Sequence, residues 1–224
     1  MPLTPFAKIF ETARTRAGAE ALEARLPKPK SAPELGATAD DRYLSDMSRR
    51  VFRAGLKHSL VDAKWPAFEK SFHGFDLRRV RAMPDEKVEV LMGDARLIRH
   101  WGKLKSVRDN AAAMLDVAAE HGSFGKWVGD WPGDNIVGLW EALAKRFSQM
   151  GGNSGPMFLR MVSKDTFVLS NSVVAALKHW GALTATPKNR KDHAAVQATF
   201  NAWAAESGLP LCHMSLILAV SVDD

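Results

Sequence analysis

The chain is expected to fold as an all-α protein, and three observations carry that expectation. Apolar residues recur at three- and four-residue spacing in most segments, as one buried face of a helix requires. Glycine and proline clusters punctuate those segments at short intervals. Strand-like alternation is confined to a few residues around Thr166 to Leu169. The length of 224 residues, 46% hydrophobic and 25% charged, is enough to bury a core in one large domain or two packed lobes.

Phe6, Ile9, Phe10 and Ala13 start the first amphipathic segment. Three prolines between Leu26 and Pro33 then break it, so residues 27–38 read as an extended connection. Asp40 or Asp41 can cap the next helix, which carries Leu44, Met47, Val51 and Ala54 on one face. Gly55 ends it or admits another backbone. Residues 63–72 hold Trp65, Phe68 and Phe72, and two short helices follow at 76–82 and 84–92. Residues 103–120 form a longer helix with Leu104, Val107, Ala111, Leu115 and Ala118 as its stripe. Helices are also expected at 171–181, 191–206 and from Pro210 to Val220. The division is an N-terminal helix with a Pro-rich connection, 1–38, and a helical domain, 39–224.

One cysteine, Cys212, excludes an internal disulfide and a multi-cysteine zinc site, and suits a reducing compartment. Charged residues interrupt residues 1–30, unlike a secretory signal, and the longest apolar run, Leu216 to Val222, is far short of the ~20 residues that span a bilayer. A cytoplasmic protein without a membrane role is expected. The net charge of +6 makes a polyanionic partner plausible without specifying one. Seven tryptophans stand against one tyrosine. Most suit core anchors, and Trp65 and Trp101, each beside a turn or helix end, are the two to consider for base stacking.

The most informative stretch is Met150-Gly151-Gly152-Asn153-Ser154-Gly155-Pro156. It separates a helix carrying Ile136, Trp140, Leu143 and Phe147 from a shorter one carrying Met157, Phe158, Met161 and Val162. Gly151, Gly152 and Asn153 tolerate positive φ, and Pro156 suits the first helical position. The expected unit is helix, hairpin, helix. The free amides and dipole of the second helix attract a phosphate.

Three stretches together resemble the helix-hairpin-helix DNA glycosylase superfamily and, within it, the 3-methyladenine DNA glycosylase I family. Arg53-Ala54-Gly55-Leu56 is similar to that family's Gln-Ala-Gly-Leu-Ser-Trp. The most specific match runs from Phe72-His73-Gly74-Phe75-Asp76 to Met83, through Asp94 to His100 and Lys103 to Asn110, to Gly122-Ser123-Phe124. The hairpin at 150–156 is the third. The resemblance covers about residues 42–183 and implies two helical lobes flanking a cleft. It also implies that amides at Gly152, Asn153, Ser154 and Gly155 hold a DNA phosphate, with a monovalent cation at the hairpin as an option the superfamily allows. Phosphate contacts of this kind position DNA without reading its sequence.

Catalytic positions depart from the family. The superfamily's aspartate after the hairpin falls near Ser170 and Asn171, neither of which carries charge at neutral pH. The 3-methyladenine family also lacks that aspartate, because an alkylated purine is already a good leaving group once extruded. Its base-holding glutamate falls on Arg50 and its tryptophan on His58. Arginine beside a cationic adenine is repulsive. The family's zinc clasp lacks its ligands, so no zinc is expected; Cys212 and His213 read as buried residues. Asp46, one helical turn before Arg50, is the carboxylate that can replace the missing one, in a pocket with Tyr43, Arg50 and His58. A surface ion pair to Arg50 is the plainer explanation, and Asp165 reads equally as a cap.

Arg96, Arg99, Lys103, Lys105 and Arg108 form one basic cluster, with Arg99 and Lys103 as DNA contacts. Arg49, Arg50, Arg53 and Lys57 form a second, and Lys188, Arg190 and Lys191 a third. The sequence-level expectation is a monomeric, monofunctional DNA glycosylase of base-excision repair. It acts on double-stranded DNA at the nucleoid and uses Asp46, Ser170 and Asn171 on a flipped, alkylated purine. No lysine flanks the hairpin to form a Schiff base. A non-catalytic DNA-binding relative and a helical interaction scaffold are the alternatives.

Overall fold

The computed structural model describes residues 3–222. Fourteen α-helices occur among them, and no strand. They are α1 (Phe6–Ala17), α2 (Ala19–Arg25), α3 (Ala32–Gly36), α4 (Asp40–Arg53), α5 (His58–Ser71), α6 (Leu77–Arg81) and α7 (Asp85–Leu91). They continue with α8 (Trp101–His121), α9 (Phe124–Asp130), α10 (Ile136–Arg146), α11 (Ser154–Met161), α12 (Asn171–His179), α13 (Arg190–Ser207) and α14 (Leu211–Val220). Two compact units are interleaved along the chain. The described residues up to Lys30, with Trp131–Leu139 and those from Ser163 onward, form one; Ser31–Asp130 and Trp140–Val162 form the other.

In the first unit, α1 buries Phe6, Ile9 and Ala13. Phe6 packs on Trp203 of α13 at 5.5 Å between ring centroids, and the Trp203 indole donates to the Thr4 carbonyl at 2.9 Å. Phe167 stacks on Phe200 at 4.1 Å. Thr166 to Leu169 forms no strand. The Val168 amide instead donates to the Ser215 hydroxyl of α14 at 3.2 Å, a side-chain bond in place of a strand partner. Asp165 caps α14, accepting from the amides of Leu211 (3.0 Å) and Cys212 (2.8 Å). Cys212 is buried, and the His213 ring bonds the Pro27 carbonyl at 2.7 Å.

The second unit is organised on α8, which packs against α4, α6 and α9. Its buried apolar positions are Leu104, Val107, Ala111, Met114 and Val117, so the second half of the stripe differs from the expected Leu115 and Ala118, which are only partly covered. Neighbours on several sides widen the buried face beyond a single helical stripe. Trp65 belongs to the core: it stacks on Phe68 (4.9 Å) and Phe75 (5.5 Å) and is 3% exposed. Trp101 is 38% exposed at the start of α8.

Three expectations are corrected here. Residues 27–38 are not extended throughout, because α3 forms with a capping box. The Ser31 hydroxyl accepts from the Glu34 amide, while the Glu34 carboxylate accepts from the Ser31 amide at 2.8 Å. Pro33 sits in the first turn, where a missing N–H breaks no bond. Neither Asp40 nor Asp41 caps α4; the Asp40 carboxylate instead accepts from Phe124 (3.1 Å) and Gly125 (3.3 Å) and caps α9. The Gly-Ser-Phe turn leads into that helix, α9, a further element beyond those expected from the sequence. A Cβ at Gly125 would lie 2.5 Å from the Leu35 carbonyl oxygen, and one at Gly129 would lie 2.7 Å from that of Ala32. The two glycines, one turn apart, let the α3 backbone lie directly on α9.

Candidate nucleic-acid interface and active site

The hairpin forms between α10 and α11. Phe147 and Met150 are buried at its base, while Gly151, Gly152 and Asn153 are exposed at its tip. Gly152 takes φ +57°, as expected, but Asn153 is right-handed at φ −76°, and the other left-handed residue is Gln149 at φ +65°. Pro156 is the third residue of α11, not the first; Ser154 leads the helix, its amide bonded to the Gly151 carbonyl at 3.1 Å. Pro156 still lies in the first turn and breaks no helical bond. Among the described residues, the exposed amide of Gly152 and the buried amide of Gly155 make no hydrogen bond.

Asn110 fixes this turn from α8. It is 1% exposed, and its carboxamide accepts from the Ser148 amide at 2.7 Å and donates to the Ser148 carbonyl at 3.1 Å. A buried amide that satisfies both backbone groups of one turn residue sets the hairpin's position. In the sequence Asn110 stands only within a motif. Nothing local signals the role, because its partner lies 38 residues away. Gly155 completes the packing: a Cβ there would sit 3.3 Å from the Met150 carbonyl oxygen, against Leu143.

The base-pocket residues are spread along α4 and α5. Tyr43 is 1% exposed, its hydroxyl donating to the Leu35 carbonyl at 2.8 Å and its ring edge on Phe124 at 5.1 Å. Burial pushes the phenol up to about 12, so it stays neutral. Asp46 is half-buried, with no hydrogen bond among the described residues. Burial raises its carboxyl above the ordinary range, against the opposing pull of Arg49, Arg42 and Arg53. Arg49 lies over the Trp65 ring at 4.9 Å, and Arg53 Nη2 donates to both Asp62 carboxylate oxygens at 2.7 Å. No Asp46–Arg50 ion pair forms. Arg50 is partly buried, and His58 is exposed at the first position of α5.

Lys103 is half-buried, its ammonium donating to the carbonyls of Ala54 (2.7 Å) and Phe52 (3.5 Å). It therefore caps the C-terminal end of α4, and burial, then Arg50, holds its pKa below the ordinary lysine value. Arg99 is exposed without a partner among the described residues. Arg96, Lys105 and Arg108 are paired to Asp94, Asp109 and Asp85. Ser170 and Asn171 lie in the first unit. The Ser170 hydroxyl caps α12, accepting from Val173 at 3.3 Å, and Asn171 is exposed at the first helical position.

The methyladenine glycosylase family matches residues 36–152, just over half of the chain. DNA-3-methyladenine glycosylase 1 of Escherichia coli (strain K12) is 42% identical over 65 residues, 29% of this chain and 35% of that protein. The chain thus spans about a third of the length of that curated relative. Among solved structures, 3-methyladenine DNA glycosylase I from Staphylococcus aureus superposes with a TM-score of 0.52 at 20% identity, covering 62% of this chain and 80% of that one. The Methanocaldococcus jannaschii 8-oxoguanine glycosylase/lyase, bound to 15mer DNA, gives 0.53 at 14% identity, covering 95% and 94%. Helicobacter pylori 3-methyladenine DNA glycosylase, MagIII, bound to 1,N6-ethenoadenine, gives 0.51 at 14%, also covering 95% and 94%. These likenesses establish the fold as that of the helix-hairpin-helix DNA glycosylases, and the match over residues 36–152 places the chain in the methyladenine glycosylase family.

Proposed function

We propose that the protein is a monofunctional DNA glycosylase that binds duplex DNA and hydrolyses the N-glycosidic bond of a flipped, alkylated purine. The observation that carries this reading is the hairpin clamped by Asn110, its tip exposed and two amides unbonded, in the same unit as a half-buried carboxylate, Asp46. Solved relatives by fold are named for 3-methyladenine, and one is in complex with 3-methyladenine and another with 1,N6-ethenoadenine, which supports the substrate class. In this reading the hairpin amides position the backbone phosphate. Asp46 stabilises the positive charge that grows on the sugar as the bond breaks, or orients the attacking water. Extrusion of the base supplies selectivity, because a damaged base costs less to unstack. A lyase step through an imine is disfavoured: Lys164, the nearest lysine after α11, is 8% exposed and its ammonium donates to the Trp131 carbonyl at 2.7 Å.

The test is incubation with alkylated duplex DNA and chromatography of released bases, on wild type and Asp46→Asn. Base release by wild type, lost in Asp46→Asn with DNA affinity kept, is the expected result. No release of 3-methyladenine, 7-methylguanine or 1,N6-ethenoadenine above background would overturn it. One observation favours a second reading, a non-catalytic DNA-binding protein: Arg50 puts an unpaired cation one turn from the only candidate carboxylate on α4's basic end. Tight duplex binding without base release would select that reading.

A further inference from the structure

Arg42, Arg53, Arg108 and Arg146 each meet a carboxylate: Glu69, Asp62, Asp85 and Glu120. Arg50 meets none among the described residues. Its side chain is partly buried, and its Nε is shut off from solvent with no hydrogen-bond partner. The charges around it are of the same sign. Burial and Arg53 both weaken its hold on its proton, and Arg50 in turn acts on Lys103. Asp46 is influenced by Arg49, Arg42 and Arg53, and does not compensate Arg50. A partly buried guanidinium without a counter-charge, beside two cations, is unfavourable by itself. Such an arrangement is expected where a ligand supplies the missing charge.

We propose that Arg50, with Lys103 and Arg53 behind it, forms an oxyanion site that takes a phosphate group at the C-terminal end of α4. The planar fork of Arg50 matches two phosphate oxygens. Lys103 is locked onto the carbonyls of Phe52 and Ala54, so it offsets the negative end of the helix that would otherwise repel an anion. The site lies on α4 and does not use the amides of the hairpin. Its phosphate is either a DNA phosphodiester or free phosphate, and the two sources are separable.

The experiment compares wild type, Arg50→Gln and, as an exposed control, Arg25→Gln. Melting is followed with and without inorganic phosphate at constant ionic strength, and duplex affinity is measured across salt. Without phosphate, Arg50→Gln is expected to melt no lower than wild type, because an uncompensated charge is removed. A DNA source predicts at least a tenfold loss of duplex affinity and a log–log salt slope lower by about one. A free source predicts that phosphate raises the melting point of wild type but not of Arg50→Gln, with duplex affinity unchanged. Arg25→Gln follows wild type in every arm. The site is refuted if Arg50→Gln follows wild type in both arms, or if it melts several degrees lower without phosphate, which makes Arg50 a structural group. Base release does not enter either arm, so failure of the glycosylase reading is seen separately.

Discussion

Replacing Asn110 tests how the hairpin is held. Asn110→Ala removes two hydrogen bonds, at 2.7 and 3.1 Å, and leaves the amide and carbonyl of Ser148 without their partners. An unsatisfied buried group costs roughly 1–3 kcal/mol. Ser148 is partly exposed, so water recovers part of that, and about 3 kcal/mol in total is expected. For a chain of this length, that lowers the melting temperature by about 6–12 °C. Asn110→Asp separates the two bonds: it keeps the acceptor for the Ser148 amide but sets a second oxygen against the Ser148 carbonyl. It should cost at least as much as alanine at neutral pH and recover in acid, when the carboxyl is protonated and can donate again. The assay is urea unfolding followed by tryptophan fluorescence, in parallel with duplex binding. Loss of DNA affinity should accompany loss of stability, because the same turn presents the amides of Gly152 and Gly155. A destabilisation below about 1 kcal/mol for both variants, with unchanged DNA affinity, would refute the clamp.

Other outcomes follow from single contacts. Asp46→Asn should abolish base release yet melt no lower than wild type at neutral pH. Burial raises the folded carboxyl pKa above its unfolded value, so the wild-type penalty is absent at acid pH and grows as pH rises through the folded pKa. A pH series of melting curves should show that slope in wild type and lose it in Asp46→Asn. Gly125→Ala forces a Cβ to within 2.5 Å of the Leu35 carbonyl oxygen and 2.8 Å of the Tyr43 ring. It should cost about 2 kcal/mol or more by denaturant titration, and no loss would mean that α3 moves freely on α9. Asp165→Ala, which uncaps α14, should cost about 1–2 kcal/mol on the same measurement.

The fold class and most helices follow from the sequence because apolar spacing and glycine punctuation act within a few residues. Ile136, Trp140, Leu143 and Phe147 define α10 in this way, and Gly152 marks the hairpin. The start of α5 was hidden because Lys57, His58, Ser59 and Leu60 are exposed and bear no periodic signal. Which helix a carboxylate caps is not legible where the partner is distant: Asp40 serves a helix 84 residues away, and Asp165 one that begins 46 residues on. No local pattern distinguishes such a carboxylate from one that caps its own helix. The same holds for the site. The sequence by itself determined that a glycine-rich turn would join two helices at 150–156, and that a carboxylate and an arginine would share one turn of helix. Only the tertiary structure decided that Asn110 holds that hairpin, that Lys103 is spent on the end of α4, and that Arg50 is left partly buried without a counter-charge, because burial and pairing depend on which helices meet.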